Sequence, residues 1–305
     1  MQPPFAVLDV SGWRVTEDEP GGADEKFWLE EPATGRRCLF KPVTVKDGHV
    51  HGEDWGEKAG AELARLLGVA RADVDLAVRS GEQGTVSWNL KPPDHDMHNG
   101  AVLLGGTVPG YVPGRENPKG RPGHGLGQIA EVLAEAGPPP GSAMPAGAGA
   151  FDAFAGMLVL DAWIANRDRH DENWSVLYPH DPSSPTLLCG AYDQAGCLGF
   201  NLREDKVRDI LKAGTVRAWA ERGTAWRFEH VGNGKPDTLV ELACRALAAA
   251  VPGVKDHWLG ALAAVDDAAV DEMLRRIPPV LSDPARTFAY ELLMINKGRL
   301  LDDCR

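Results

Sequence analysis

The chain has no run of eighteen apolar residues, and its first thirty residues hold no basic start followed by an apolar core. Neither a membrane-spanning helix nor a secretory signal is therefore expected. CxxC spacing is absent too. Cys38, Cys189, Cys197, Cys244 and Cys304 are scattered and odd in number, which predicts reduced thiols in a cytoplasmic protein and not a disulfide framework. Positive charge is scarce: 32 Lys and Arg stand against 44 Asp and Glu, a net charge of -12. Such a surface repels nucleic acid and anionic membranes, so neither is expected as a partner. The rest of the composition is that of an ordinary globular protein. The 305 residues, 43% hydrophobic and 25% charged, suffice for two domains or one bilobal one with a large core.

The most informative stretch runs from Phe151 to Gly199. Phe151, Phe154, Ala155, Leu158, Ala162 and Trp163 recur at three- and four-residue spacing, which predicts a buried helix from Phe151 to Ala165. A polar run, NRDRHDEN, follows without a break from Asn166 to Asn173. Trp174 to Tyr178 reads as a strand, His180 to Pro185 as a turn and Thr186 to Tyr192 as a second strand, with Asp193 at its end. Taken alone, the polar run also fits a solvated loop, and Asp193 a turn former or helix cap. The order of helix, polar loop, hairpin and aspartate has a chemical meaning as well. Phosphoryl transfer needs a carboxylate near the attacking hydroxyl, an amide and a second carboxylate to hold magnesium, and a lysine on the nucleotide. Asp168 is followed five positions later by Asn173, the spacing of catalytic aspartate and metal-binding asparagine in kinases, and Asp193 stands where their second metal ligand stands. A few oxygen side chains suit magnesium, which keeps several waters.

Upstream, Phe5 to Val10, Phe27 to Glu30, Arg37 to Lys41, Val74 to Val78 and Thr85 to Leu90 read as strands, with Trp13 to Val15 a continuation of the first. The acidic Glu17 to Lys26 segment carries only Gly21 and Gly22, short of a GxGxxG loop and equally a plain hairpin turn. Lys41 ends an apolar strand segment, and Glu57 lies in a predicted helix from Trp55 to Leu67, where a kinase glutamate would pair with the lysine. Glu53 and Glu62 are the alternatives. Pro92 and Pro93 break the strand pattern, so Trp88, Asn89, Leu90 and Lys91 form a candidate hinge whose main chain would hold adenine. The pairs His49/His51 and His95/His98 have metal-compatible spacing but no further ligand cluster beside them. Gly100 to Gly127 reads as irregular loop, Gln128 to Ala136 as a short helix, and Gly137 to Ala150 as low-complexity connector. Helices are predicted at Thr238 to Val251, Ala268 to Ile277 and Pro284 to Leu301, the last begun by Ser282 or Asp283.

Four segments together, LFKP at Leu39 to Pro42, GEDWGEKAGAELARLLGV at Gly52 to Val69, LDAWIANRDRHDENWSVL at Leu160 to Leu177 and YDQAGCLGF at Tyr192 to Phe200, resemble the HipA-like kinases. Those are relatives of the phosphoinositide kinases, whose catalytic loops also carry DRHxxN. The likeness runs from about Val7 to the C-terminus and implies an α+β, bilobal protein-kinase-like fold, with a strand-rich N-lobe over residues 1–91 and a helical C-lobe over 92–305. It implies ATP and Mg2+ as cofactors, Lys41 as the ATP-contacting lysine, Asp168 as the catalytic aspartate, His170 as a brace for the catalytic loop, and Asn173 and Asp193 as magnesium ligands. Asp193-Gln194-Ala195 stands where ordinary protein kinases have Asp-Phe-Gly, a change compatible with metal binding. The extra N-terminal region of the family's toxin members is expected to be absent, which disfavours a toxin role. The expected activity is transfer of the γ-phosphoryl group to Ser or Thr of a protein or peptide substrate. The alternatives are a small-molecule or lipid kinase, and a nucleotide-binding pseudokinase acting as a regulatory module.

Overall fold

Short apolar strands dominate the first ninety residues of the computed structural model, which describes residues 2–18, 26–230 and 234–305. The elements are β1 (Val7–Asp9), β2 (Arg14–Asp18), β3 (Phe27–Glu30), β4 (Arg37–Pro42), β5 (Val45–Lys46), β6 (His49–Val50), α1 (Glu53–Leu67), β7 (Val74–Arg79) and β8 (Glu82–Trp88). Six of the strands form one sheet in the order β1-β7-β8-β4-β3-β2, parallel between β1 and β7 and antiparallel elsewhere, while β5 and β6 form a separate hairpin. Period-two alternation sends Leu29, Cys38, Phe40, Val86 and Trp88 into a small core of their own. Helix α1 packs with the large core of the remaining chain.

That remainder comprises β9 (His95–Asn99), α2 (Gly100–Thr107), a 3-10 turn (Gly114–Glu116), α3 (Leu126–Val132), α4 (Ala150–Ile164), β10 (Ser175–Pro179), β11 (Leu187–Leu188), α5 (Glu204–Lys212), α6 (Val216–Ala220), α7 (Leu239–Ala249), α8 (Val254–Ala264), α9 (Asp267–Arg276) and α10 (Asp283–Asp303). Its axis is α4, buried from Asp152 to Ile164. Gly156 on α4 lets the Trp258 ring of α8 lie where a Cβ would stand only 2.3 Å away. Helix α10 fixes α4 from another side, with Trp163 Nε1 donating to Leu293 O (3.2 Å) and Asn296 Nδ2 to Trp163 O (3.2 Å). The architecture is α+β, as the sequence predicts.

Several details differ from expectation. The stretch read as loop from Gly100 holds α2, which forms because Asn99 accepts from Val102 N–H at its start and Ala101 and Leu104 reach the core. The expected strand Thr186–Tyr192 shrinks to two residues. Cys189 N–H still donates to Ser175 O of β10 (2.8 Å), but beyond it the backbone leaves β10 and bonds instead to the connection between α1 and β7: Ala191 N–H donates to Ala70 O (2.7 Å) and Ala72 N–H to Ala191 O (2.9 Å). Helices α5, α6 and α8 also lie where none was assigned, α5 being held by only two buried side chains, Val207 and Ile210. The expectation of five reduced thiols is corrected, because Cys244 on α7 and Cys304 at the end of α10 are joined in a disulfide. Packing of α7 on α10 makes neighbours of cysteines 60 residues apart, so cysteine usage no longer argues for a reducing, cytoplasmic setting. Among the described residues no helix is long and apolar enough to cross a membrane.

Candidate active site

Helix α4 ends abruptly, and its end organises the polar loop. Ala165 adopts a left-handed backbone (φ 55°), and Asn166 turns back on the helix, its N–H donating to Asp161 O (2.8 Å) and its Nδ2 to Asp161 Oδ1 (2.8 Å). Arg169, 1% exposed, places Nε and Nη2 on the two Asp161 oxygens, each at 2.8 Å. Burial would strip its charge, but the Asp161 carboxylate holds the guanidinium protonated. Its Nη1 donates to Asn173 O (2.7 Å) and to Tyr192 O (3.2 Å). One buried ion pair therefore fixes helix, loop and the chain leading to Asp193.

The loop itself is tied end to end. Asp168 N–H donates to Asn166 Oδ1 (3.1 Å), and Asn173 Nδ2 donates to Asp168 O (2.8 Å). The second bond orients the Asn173 amide and leaves its Oδ1 as the outward acceptor. His170 Nδ1 accepts from Glu172 N–H (3.2 Å). His170, Asp171 and Glu172 also bring ligand atoms within 4.8 Å of one another. Asp171, however, is engaged by Tyr111 OH (2.7 Å) and Gly114 N–H (2.8 Å). Burial works to raise its carboxyl, but these bonds and His170 hold it well below the usual carboxylate range.

Asp193 arrives in a left-handed conformation (φ 58°), and Lys41 Nζ lies 3.0 Å from its Oδ1. Burial pushes the Asp193 carboxyl up, yet the Lys41 ammonium outweighs it, and the group stays below its ordinary value. Glu57 faces the same cluster. It is 1% exposed, its Oε2 has no hydrogen-bond partner among the described residues, and burial raises its carboxyl against the opposing pull of Lys41. With its amide turned so that nitrogen and oxygen both find partners, Gln194 donates to Glu57 Oε1 (3.3 Å) and accepts from Tyr192 N–H (3.2 Å). The two alternative glutamates are committed elsewhere: Glu53 accepts from Thr44 N–H (2.6 Å), and Glu62 from Lys58 (2.9 Å) and Arg65 (3.0 Å). Glu57 is thus the α1 carboxylate set beside Lys41 and Asp193.

A cleft of about 380 Å³ opens between the sheet and β9–β10. Lys41 and Asp193 stand in it, and so do Trp88, Asn89 and Leu90 of the expected hinge. Leu39, Ala72 and Met97 add apolar wall suited to a flat heterocycle. The hinge residues are not equivalent. Trp88 N–H donates to Asp73 O (2.9 Å) and its indole to Asp75 (2.9 Å), while Asn89 N–H donates to Arg37 O (3.0 Å). Those donors are used inside the protein, which leaves the Leu90 main chain for a ligand. The Gly21 and Gly22 expectation lies outside the described residues. Asp168, His170 and Asn173 do not line the cleft. For a magnesium ion the donors fit: an amide oxygen with its nitrogen tied back, and a carboxylate kept ionised beside a cation.

Sequence reasoning missed Arg227, whose Nη2 and Nε approach Asp168 Oδ1 at 2.5 and 2.7 Å. It also missed the Asp161–Arg169 pair and the apolar wall. Eight-residue spacing across a helix end could have suggested the pair; nothing local marks Arg227.

No family model matches this sequence, and no curated protein matches it. Folds do match. The chain is similar to the Helicobacter pylori proinflammatory kinase CtkA, with a TM-score of 0.68 at 13% identity over 97% of this chain and 99% of that one. It is also similar to HipA of Shewanella oneidensis MR-1, solved in a toxin–antitoxin complex with HipB and operator DNA, with a TM-score of 0.56 at 14% identity over 97% of this chain and 67% of that one. The fold is therefore protein-kinase-like.

Proposed function

We propose that this kinase-fold chain is an ATP- and magnesium-dependent phosphotransferase of the HipA-like kind, acting on Ser or Thr hydroxyls of a protein. The observation that carries the reading is the Arg169 guanidinium, which binds both Asn173 O (2.7 Å) and Tyr192 O (3.2 Å) and so ties the loop holding the bonded Asp168–Asn173 pair to the segment that ends at Asp193 beside Lys41. ATP would lie in the cleft with adenine against Leu39, Ala72 and Met97 and its ring edge at the Leu90 main chain. The hinge would divide an N-lobe over residues 1–91 from a C-lobe over 92–305. Asn173 and Asp193 would hold magnesium, which neutralises phosphate charge when bound. Lys41 would meet the phosphates, and Glu57 would steady the lysine with Asp193 engaged by the metal. Asp168 orients the acceptor hydroxyl and takes its proton as the new O–P bond forms and the bond to ADP breaks.

The test is incubation of the pure protein with γ-labelled ATP, magnesium and a cell lysate, followed by location of the label. Phosphoserine or phosphothreonine in protein is the expected result. Label in a lipid or small molecule would move the acceptor class, and tight MgATP binding with no transfer would make the chain a nucleotide-binding module.

A further inference from the structure

Asp168 does not stand alone. Arg227 directs both Nε (2.7 Å) and Nη2 (2.5 Å) at one oxygen, Oδ1, so the carboxylate is held in one orientation with Oδ2 bonded to none of the described residues and turned to a hydroxyl. A guanidinium is suited to this because its planar fork stays charged and loses little freedom in binding. Its own position is fixed in turn. Trp226 lies under it, with Arg227 Cζ 3.9 Å from the indole centroid and Arg121 at 5.2 Å from the same ring. The Arg227 carbonyl meets His124 Nδ1 at 2.8 Å, and His124 Nε2 accepts from Trp174 Nε1 at 3.2 Å. An indole nitrogen only donates, so the tautomer is determined: the His124 proton sits on Nδ1 and is given to the carbonyl. His124 is itself stacked on Phe228, ring centroids 4.8 Å apart.

Trp174 directly follows Asn173. A hydrogen-bonded chain therefore runs from the metal-binding end of the loop through Trp174, His124 and the Arg227 main chain to the Asp168 carboxylate. The same loop is already bonded within itself through Asn173 Nδ2 and Asp168 O (2.8 Å). We infer that Arg227 is a positioning residue for Asp168, set by the Trp174–His124 relay so that catalytic carboxylate and metal ligand keep one relative geometry. The inference rests on the kinase reading. It assigns Arg227 no contact with ATP, since Arg227 does not line the cleft.

Arg227→Ala, Arg227→Lys and wild type are to be compared with γ-labelled ATP and lysate protein as acceptor, with rates normalised to ATP bound at saturation. Arg227→Ala should lower kcat roughly a hundredfold, as loss of one positioned electrostatic contact does, and leave the KM for ATP unchanged. Arg227→Lys should recover part of the loss, and so should millimolar guanidinium added to Arg227→Ala. Equal normalised rates for wild type and Arg227→Ala would overturn the inference alone. So would a loss accounted for by less ATP bound, or one that neither lysine nor guanidinium relieves. A wild type that binds MgATP and transfers nothing would overturn the kinase reading and this inference with it.

Discussion

A partly buried carboxylate keeps its charge more firmly beside a cation, and Asp193 has Lys41 at 3.0 Å. A turn-forming role would make Asp193→Asn nearly silent in activity. As a metal ligand, its replacement by the amide should slow transfer on the order of a hundredfold, or about 3 kcal/mol, with partial recovery at high magnesium. Transfer rate against magnesium concentration decides this, and superimposable curves for a folded variant would remove Asp193 from the site. His124 carries a second prediction. Burial lowers its pKa from 6.5 to about 4, so the folded protein resists protonation that the unfolded chain accepts. The resulting stabilisation is complete above pH 6.5 and is lost as pH falls towards 4, on the order of 3 kcal/mol in all. Asp54, raised by burial to about 6, acts in the opposite sense, losing its contribution as pH rises towards 6. Urea unfolding of wild type and His124→Gln across this range cancels the Asp54 effect; parallel curves would exclude His124 as the source. These residues also show what a sequence can disclose. Asp168 and Asn173 are legible because five-residue spacing within one loop is itself the geometry. Arg227 and His124 reach the site from 59 and 50 residues away, a proximity no local pattern encodes.

Helix α1 owes its place in the site to two glycines. A Cβ on Gly60 would come 2.6 Å from Gln194 Cβ, and one on Gly56 2.8 Å from Ala195 O. The helix thereby lies directly on the segment after Asp193, and Glu57, between the two glycines, is carried into the charged cluster. Gly60→Ala forces these backbones apart, and overpacking of this kind typically costs 1–3 kcal/mol. The expected outcome is a loss of stability of about that size together with weaker magnesium dependence, because Asp193 shifts with its neighbours. Calorimetry of unfolding and a magnesium titration check both; an unchanged titration would mean the segment holds its position without α1. Elements of this kind were readable where burial left an unbroken periodic pattern, as in α1, α4 and α10. They were unreadable where context decides: α2 exists through an Asn99 cap and two core residues, and the chain beyond Cys189 exchanges a strand partner for the connection between α1 and β7. The glycines that look like strand or helix breakers in composition are here the points of closest contact.

Across the whole molecule, the two cores divide the labour, with one sheet roofing the cleft and one helical body carrying the loop that faces it. The helical body is closed by the Cys244–Cys304 disulfide, which ties the last residues of α10 to α7. Helix α10 also holds Trp163 on α4, three residues before Asn166, so α10 is linked mechanically to the Asn166–Asn173 loop. A cross-link spanning 60 residues removes unfolded-chain entropy worth about 4 kcal/mol on the loop-closure estimate. For a chain of this size that corresponds to a fall in Tm on the order of ten degrees when the bond is lost. Among the described residues none beyond Asp193 lines the cleft, so ATP affinity at 25 °C should be unaffected while the protein remains folded. Cys304→Ser and dithiothreitol-treated wild type should therefore melt together, below the oxidised protein, and give the same ATP dissociation constant as it does. If reduction leaves the melting temperature unchanged, the cross-link does not limit unfolding and the packing of α7, α4 and α10 alone secures the tail. If ATP affinity falls with the melting temperature, the tail's hold on α4 extends through the loop to the nucleotide.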